Sequence, residues 1–272
     1  MKYIEINKQK IPALGFGTFG LKGEAGVKTI VEAIQMGYHH IDTAESYYNE
    51  EETGKAIKKA SVPRDNLFLT TKFINESLSG KNLPQEMEAS LKRLKTDYVD
   101  LLLIHWPSKT IPLEETLGAM NRLKEEGKIR NIGVSNFTTA LLKEAKKTDI
   151  PIITNQVEYH VYLSQEKLLT YMRENGLFLT AYSPVARGKV LDDQTLVNIG
   201  KKHNKNAVQI ALKWLISQDD VAAIPKASHP EKCRSNLDIF DFELDEEDVS
   251  TINRLEKHHR LIDVPGLSPE WD

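Results

Sequence analysis

Four residue types that can hold or move a proton stand where apolar runs stop. Asp42 closes Tyr38-His-His-Ile-Asp42, the pair Tyr47 and Tyr48 follows, Lys72 closes Leu67-Phe-Leu-Thr-Thr-Lys72, and His105 follows Leu101-Leu-Leu-Ile104. A free tyrosine, with a pKa near ~10, is a poor acid at neutral pH. An ammonium within about 4–6 Å favours the phenolate and lowers that value. A lysine in a partly dry pocket tends to lose its own charge, so it needs a carboxylate, and Asp42 is the candidate. Lowering a tyrosine by about two units takes roughly 2.7 kcal/mol, within reach of a nearby ion pair in low dielectric. With His105 orienting or polarising a bound oxygen, the set is a proton donor aimed at an oxyanion that forms during reaction. Spacing alone does not choose between Tyr47 and Tyr48.

Taken singly, each residue has a plainer reading. Asp42 before Thr-Ala can cap a turn, Lys72 can be a solvated strand end, and the tyrosines can be packing residues. His105, before Trp106-Pro107, can be a buried hydrogen-bonded histidine. What carries the chemical reading is that all four fall at ends of strand-like runs.

The elements that must position them repeat along the chain. Residues 3–12 alternate around Asn7-Lys8 as a hairpin does. Apolar runs then recur near 13–17, 38–42, 67–72, 99–105, 130–134, 152–157, 177–182 and 221–225. Between them apolar residues take helical spacing, as in Val27, Ile30, Val31 and Ile34 or Leu117, Met120 and Leu123. Gly37, Gly127 and Gly176 each precede a strand, where a helix C-cap glycine belongs. Eight strands at roughly 30-residue spacing predict a (β/α)8 TIM barrel with an N-terminal β-hairpin, and polar candidates at many strand ends favour it over an open doubly wound sheet. The gap from 182 to 221 holds two helical patterns, so extra helices are expected near the C-terminus. No linker divides residues 1–272, which read as one domain. The tail from His258 to Asp272 is broken by Pro265, Gly266 and Pro269, yet carries Leu261, Ile262, Val264, Leu267 and Trp271. It is expected to pack back over the barrel.

Composition narrows the functional class. The formal charge of −3 gives no electrostatic reason for a nucleic-acid or anionic-membrane partner. The single cysteine, Cys233, excludes an internal disulfide and suits a reducing compartment. The N-terminus lacks a signal-peptide core and no apolar run approaches the ~18 residues of a span. A cytoplasmic protein is expected. The pairs His39-His40 and His258-His259 lack metal-ligand spacing, so no metal is expected.

The blocks Tyr38-His-His-Ile-Asp-Thr-Ala-Glu-Ser-Tyr-Tyr-Asn-Glu50, Thr71-Lys72, Leu102-Leu-Ile-His-Trp-Pro107, Gly133-Val-Ser-Asn-Phe137, Asn155-Gln156 and Tyr182-Ser-Pro184 occur in the order found in the aldo-keto reductase family. The resemblance runs from about Ile11 to Asp272. The ending Arg260-Leu-Ile-Asp-Val-Pro-Gly-Leu-Ser-Pro-Glu-Trp-Asp272 is similar to the compact bacterial branch of 2,5-diketo-D-gluconate and methylglyoxal reductases. The resemblance implies reduction of small aldehydes, dicarbonyls or keto-sugars by NADP(H), with NAD(H) as a weaker alternative, in a monomer. It implies that Tyr47 is the general acid, Lys72 and Asp42 tune it, His105 orients the carbonyl, and Tyr48 is a packing residue. Phe19 and Trp106 would wall the substrate pocket, with Trp271 as a further candidate.

No Gly-x-Gly-x-x-Gly opens a helix after a strand, which disfavours a Rossmann site; Gly15 and Gly17 read instead as points of close backbone approach. The resemblance places Gly17 and Thr18 against the cofactor. It makes Ser135, Asn136 and Gln156 the trio that hydrogen-bonds the nicotinamide carboxamide, which both donates and accepts. Tyr182 would stack on the ring, with Ser183 and Val185 following it along the cofactor. Ile224-Pro-Lys226 leads into Ser228-His-Pro-Glu231, which has capping-box spacing with Pro230 in the first turn, a natural anion site. In the family this segment holds the 2′-phosphate of NADP, with Lys226 as main contact. Departures occur here: Ala227 replaces a serine, Lys232 an arginine and Ser235 a glutamate, while Asn236 is retained. Lysine lacks the planar fork of arginine, so preference for NADP over NAD is expected to be weakened. Two other readings remain: a Schiff-base lyase using Lys72, and an NADP-binding regulatory barrel without turnover.

Overall fold

The computed structural model describes residues 1–272. Strands β1 (Tyr3–Ile6) and β2 (Gln9–Pro12) pair antiparallel around Asn7 and Lys8, forming the expected hairpin. Eight parallel strands follow: β3 (Phe16–Gly17), β4 (His40–Asp42), β5 (Phe68–Phe73), β6 (Val99–Ile104), β7 (Ile129–Ser135), β8 (Ile152–Glu158), β9 (Phe178–Tyr182) and β10 (Val221–Ala223). Each pairs with the next, and the ring closes where Leu14 bridges Ala223. There Gly15 N–H donates to Ala223 O, and Ala223 N–H to Ala13 O, both at 2.8 Å. The fold is a (β/α)8 barrel.

That seam explains the glycines beside it. A Cβ on Gly15 would stand 2.9 Å from His40 Cγ, and one on Gly17 would stand 3.0 Å from the Ile224 carbonyl oxygen. Only a residue without a side chain leaves room for the His40 ring at the first position and for the Ile224 backbone at the second. The strands read as near-continuous apolar runs because both faces are covered; every residue of β6 is buried.

The helices are α1 (Gly23–Met36), α2 (Glu50–Lys59), α3 (Leu83–Leu94), α4 (Leu113–Glu125), α5 (Thr139–Lys146), α6 (Glu166–Glu174), α7 (Gln194–His203), α8 (Ala207–Ser217), α9 (Pro230–Leu237) and α10 (Glu246–Asn253). Two of them, α7 and α8, fill the long gap between β9 and β10, as the sequence implied. Gly37 ends α1 at φ 111°, with its N–H bonded to the Ala33 and Ile34 carbonyls. Asn206 and Gln209 form a reciprocal capping box on α8. The box expected at Ser228 does not form. His229 is the N-cap of α9 and makes no side-chain cap bond, while the Ser228 hydroxyl accepts from Lys226 Nζ at 2.7 Å. Proline at the first position of α9 starts the helix one residue later than the Ser-x-x-Glu spacing assumed.

A continuous hydrophobic cluster links the barrel strands to the inner faces of the helices. The tail packs back over the C-terminal end of the barrel. His258 bridges Leu163, the Leu261 and Ile262 N–H groups donate to Glu158, and Asp272 Oδ2 accepts from Thr139 N and Oγ1. No helix is long and apolar enough to cross a membrane.

The packing of α2 on α3 tests this arrangement. A Cβ on Gly54 would lie 2.5 Å from the Arg93 carbonyl oxygen and 2.6 Å from the Leu94 carbonyl carbon. Helix propensity alone says that Gly54→Ala gains about 1 kcal/mol. Both obstacles are backbone, so overpacking wins, and a net loss of about 1–3 kcal/mol is expected. The urea midpoint of the variant should fall; an equal or higher midpoint would contradict the packing.

Candidate active site

Parallel barrel strands deliver their last side chains to one face, and three of them bring the four proton-handling residues there. Asp42 is the last residue of β4, Lys72 the penultimate residue of β5, and His105 the first residue beyond β6. Tyr47 ends the short 3-10 turn Glu45–Tyr47 that follows β4. Lys72 Nζ, wholly buried, lies 2.5 Å from Asp42 Oδ1, 2.8 Å from the Thr43 carbonyl oxygen and 3.4 Å from Tyr47 Oη. An ammonium has three protons, and these three acceptors use them all. The second Asp42 oxygen, Oδ2, accepts from Gln156 Nε2 at 2.8 Å.

The electrostatics follow from burial set against this pairing. Burial pushes the Lys72 pKa down, but Asp42 and then Tyr47 outweigh it, and the net shift is upward. Lys72 is therefore an ammonium at neutral pH. For Tyr47 the outcome differs from the expected lowering. Burial is the largest influence and raises the phenol above its ordinary value; Lys72 pulls the other way without overcoming it, and Asp42 adds to the rise. Tyr47 thus keeps its proton while its oxygen faces the ammonium. Burial, helped by Lys72, pushes His105 down to about 3, so its imidazole is neutral.

Tyr48 is not a packing residue. At φ 53° it terminates the 3-10 turn in the left-handed region, which swings its ring out to 80% exposure. The two tyrosines are adjacent, yet only Tyr47 enters the cluster. Phe19, itself 65% exposed, lies edge-on to Tyr47 with ring centres 5.0 Å apart, and the His105 ring is 5.7 Å away on another side. Trp106 is buried and meets Trp271 of the tail at 6.3 Å.

Ser135 ends β7, Asn136 follows it at φ 63°, and Gln156 sits in β8. The Asn136 amide donates to the His105 carbonyl at 2.9 Å and to Ser135 Oγ at 3.2 Å, and its oxygen accepts from the Tyr182 hydroxyl at 2.8 Å. Ser135 Oγ donates to the Gln156 backbone oxygen at 2.8 Å. Gln156 has spent one amide proton on Asp42, and its Oε1 accepts nothing from the protein. An open carbonyl oxygen and a spare N–H beside it match a primary carboxamide, which offers two donors and an acceptor. This end of the site fits a nicotinamide. Thr18, fully buried, donates through Oγ1 to the Asp42 backbone oxygen at 3.0 Å and follows Gly17 at the seam. Ser183, at φ 48°, and half-buried Val185 continue from Tyr182 along the same rim.

On the far side of the seam, Lys226, Ser228 and Lys232 are exposed around the start of α9, while Ala227 and Asn236 are buried. An uncapped helix N-terminus with two lysines fits an anionic phosphate. Ser235, where the resemblance expects a glutamate, accepts from Asn206 Nδ2 at 3.0 Å.

Sequence reading missed two supports. Asn49 donates to the Thr18 and Leu21 carbonyls at 2.7 and 3.0 Å and accepts from Thr43, tying the loop after β3 to the loop after β4. Glu50, buried, accepts from Thr71 and Ser90 at 2.6 Å each and pairs with Arg93 at 2.7 Å. In sequence, Glu50 opens a run of three glutamates that looks like a solvated helix start. Its signal lies only in partners distant along the chain.

A closed barrel whose strand ends gather a charged lysine, a protonated tyrosine and a neutral histidine beside an edge that fits a carboxamide matches an oxidoreductase of the barrel type. The model of the Aldo/keto reductase family matches residues 13–257, and the chain belongs to that family. It is 40% identical over 266 residues to the methylglyoxal reductase DkgB of Escherichia coli O157:H7, covering 96% of this chain and 99% of that one. It is 41% identical over 257 residues to the glyoxal reductase of Bacillus subtilis (strain 168), covering 94% and 92%. A crystal structure carrying the provisional name 2,5-diketo-D-gluconic acid reductase B superposes with a TM-score of 0.97 at 43% identity, over 100% of this chain and 98% of that chain. The protein is an enzyme, and members of its family use nicotinamide cofactors.

The histidine gives the test of this electrostatic picture. With a folded-state value of about 3 below the ~6.5 of an unfolded chain, the unfolded state takes up this proton first. The His105 contribution to stability is constant above the unfolded value and is lost progressively as pH falls towards the folded one. Ring nitrogen shifts of His105 should stay those of neutral imidazole from pH 5 to 9 in a nuclear magnetic resonance titration. A midpoint near the ordinary histidine value would contradict the site.

Proposed function

We propose that the protein reduces small aldehydes, dicarbonyls or keto-sugars to alcohols with NADPH, Tyr47 giving the proton. The observation that carries this is the three-acceptor shell of Lys72, which leaves a protonated phenol with its oxygen against a fixed positive charge. When bound, the reduced nicotinamide supplies the hydride. Ser135, Asn136 and Gln156 would hold its carboxamide, Tyr182 its ring face, and Gly17, Thr18, Ser183 and Val185 the adjoining stretch. Lys226, with Ser228, Lys232, Asn236 and the backbone at Ala227, would hold the 2′-phosphate.

The protein's own residues then act on the substrate oxygen. Because Tyr47 Oη accepts from Lys72, its own O–H is free to point into the site, and neutral His105 offers a second donor. Charge developing on the carbonyl oxygen is met by both, and the proton passes from Tyr47 Oη to that oxygen. The phenolate left behind faces the ammonium, whose charge Asp42 maintains. Stabilisation of a developing oxyanion by donors fixed in advance costs no reorganisation. Lys72 does not serve as a Schiff-base nucleophile here, since a charged nitrogen with three donated protons has no lone pair. The relatives named for methylglyoxal and glyoxal support small dicarbonyls, and Phe19, Trp106 and Trp271 suit a narrow pocket. We place the enzyme in the cytoplasm as a monomer of one domain.

Tyr47→Phe removes the hydroxyl that gives the proton, and with it one of the three acceptors of Lys72. Its kcat should fall at least ~100-fold across a carbonyl panel while NADPH binding, followed by fluorescence, persists. Unchanged turnover would sink the mechanism. For the cofactor, Lys226→Ala should raise the KM for NADPH roughly tenfold, the scale of one charge-assisted contact, with that for NADH unmoved. Equal effects on both would contradict the phosphate assignment, and faster turnover with NADH than NADPH at equal low concentration would contradict the preference.

A further inference from the structure

The 3-10 turn that delivers Tyr47 brings a second hydroxyl to the site. Ser46 Oγ lies 3.3 Å from His105 Nδ1, and neither side chain makes another hydrogen bond within the protein. The histidine is otherwise held through its backbone, whose N–H donates to the Phe73 oxygen and whose carbonyl accepts from Asn136, both at 2.9 Å. The turn is held as well. Tyr47 N–H donates to the Ala44 oxygen at 3.1 Å, and Glu45 Oε1 accepts from Ser77 Oγ at 3.2 Å, which ties the turn to the loop after β5. The other ring nitrogen of His105, Nε2, has no partner in the protein, yet it is not among the polar atoms shut off from solvent. It is the nitrogen left for a substrate.

A neutral imidazole carries one proton, and the bond made by one nitrogen decides what the other can do. If Nδ1 held the proton and donated it to Ser46, Nε2 would turn a bare lone pair towards an oxygen that gains negative charge in the reaction. It would also accept a hydrogen bond from any donor in the site, the Tyr47 hydroxyl included. If Ser46 donates to Nδ1, the proton sits on Nε2 and meets that oxygen. Only this second arrangement gives the developing oxyanion a donor fixed in advance. A serine hydroxyl can rotate to donate, an option that an apolar side chain at position 46 lacks.

We propose that Ser46 is a positioning residue for the reaction: its hydroxyl donates to His105 Nδ1, keeps the ring proton on Nε2, and so makes the histidine a donor to the substrate carbonyl. One short turn then sets both protons offered to the substrate, the Tyr47 phenol directly and the His105 N–H through Ser46. The proposal rests on the carbonyl-reductase reading and adds to it the residue that fixes the tautomer.

The test is a nitrogen magnetic resonance spectrum of the histidine rings at neutral pH, with His105 assigned by its loss in His105→Gln. Wild type should show Nε2 protonated and Nδ1 bare. Ser46→Ala should move part of the population to the Nδ1–H form and lower kcat for methylglyoxal roughly 3- to 10-fold, the scale of one neutral hydrogen bond, with NADPH affinity unchanged. Ser46→Thr, which keeps a hydroxyl, should hold the wild-type nitrogen pattern and turnover. A wild-type ring protonated on Nδ1 overturns the proposal, and needs no variant to fold. A Ser46→Ala enzyme with the wild-type nitrogen pattern overturns it too, as does one with a shifted pattern and unchanged kcat; Ser46 is then only part of the turn. Turnover of methylglyoxal beside an Nδ1–H ring spares the reductase reading, whereas no reduction of any carbonyl by the wild type overturns both.

Discussion

The site depends on one buried ion pair. Lys72 has no exposure to solvent and Asp42 almost none, and an isolated ammonium in such a place would shed its proton. The carboxylate prevents this, at the cost of burying a second charge. That cost is acceptable because every polar atom of the pair has a defined partner, from Thr43 and Tyr47 on one side to Gln156 on the other. Removal of one partner from such a pair is far worse than replacement of both. The pair also links the two halves of the site, since the same Gln156 amide that steadies Asp42 keeps a free oxygen at the edge that fits a carboxamide.

The barrel makes the pair possible. Asp42 and Lys72 come from neighbouring strands, and parallel register fixes their side chains on the inner face at one end. Gln156 reaches Asp42 from the opposite arc of the ring, across 114 residues of sequence. The seam at Gly15 and Gly17 closes the ring and sets Thr18 on the Asp42 backbone. Asn49 and Glu50 hold the intervening loops, so Tyr47 is placed by supports that never touch the substrate.

Much of this was legible in the sequence because strand ends and apolar runs are local signals. All eight barrel strands fall on the expected runs, with shifts of one to three residues such as Phe73, which extends β5 past Lys72. The hairpin, the extra helix before β10 and the return of the tail were legible for the same reason. Three features were not. The side of the chain on which Tyr48 emerges depends on a left-handed backbone angle that composition does not encode. The start of α9 depends on Pro230 and on Lys226 drawing Ser228 away. The sign of the Tyr47 shift depends on how completely the ring is buried, and a spacing argument saw only the nearby lysine.

The central claim is that a charged Lys72 biases a phenol that burial keeps protonated. The direct measurement is the titration of Tyr47 in protein labelled at the tyrosine ring carbon that bears oxygen, assigned with Tyr47→Phe and repeated in Lys72→Met. The account predicts a wild-type midpoint above the ordinary 10.0, and a midpoint higher still when the ammonium is removed. A wild-type value below the ordinary one, or no upward movement in Lys72→Met, would contradict it.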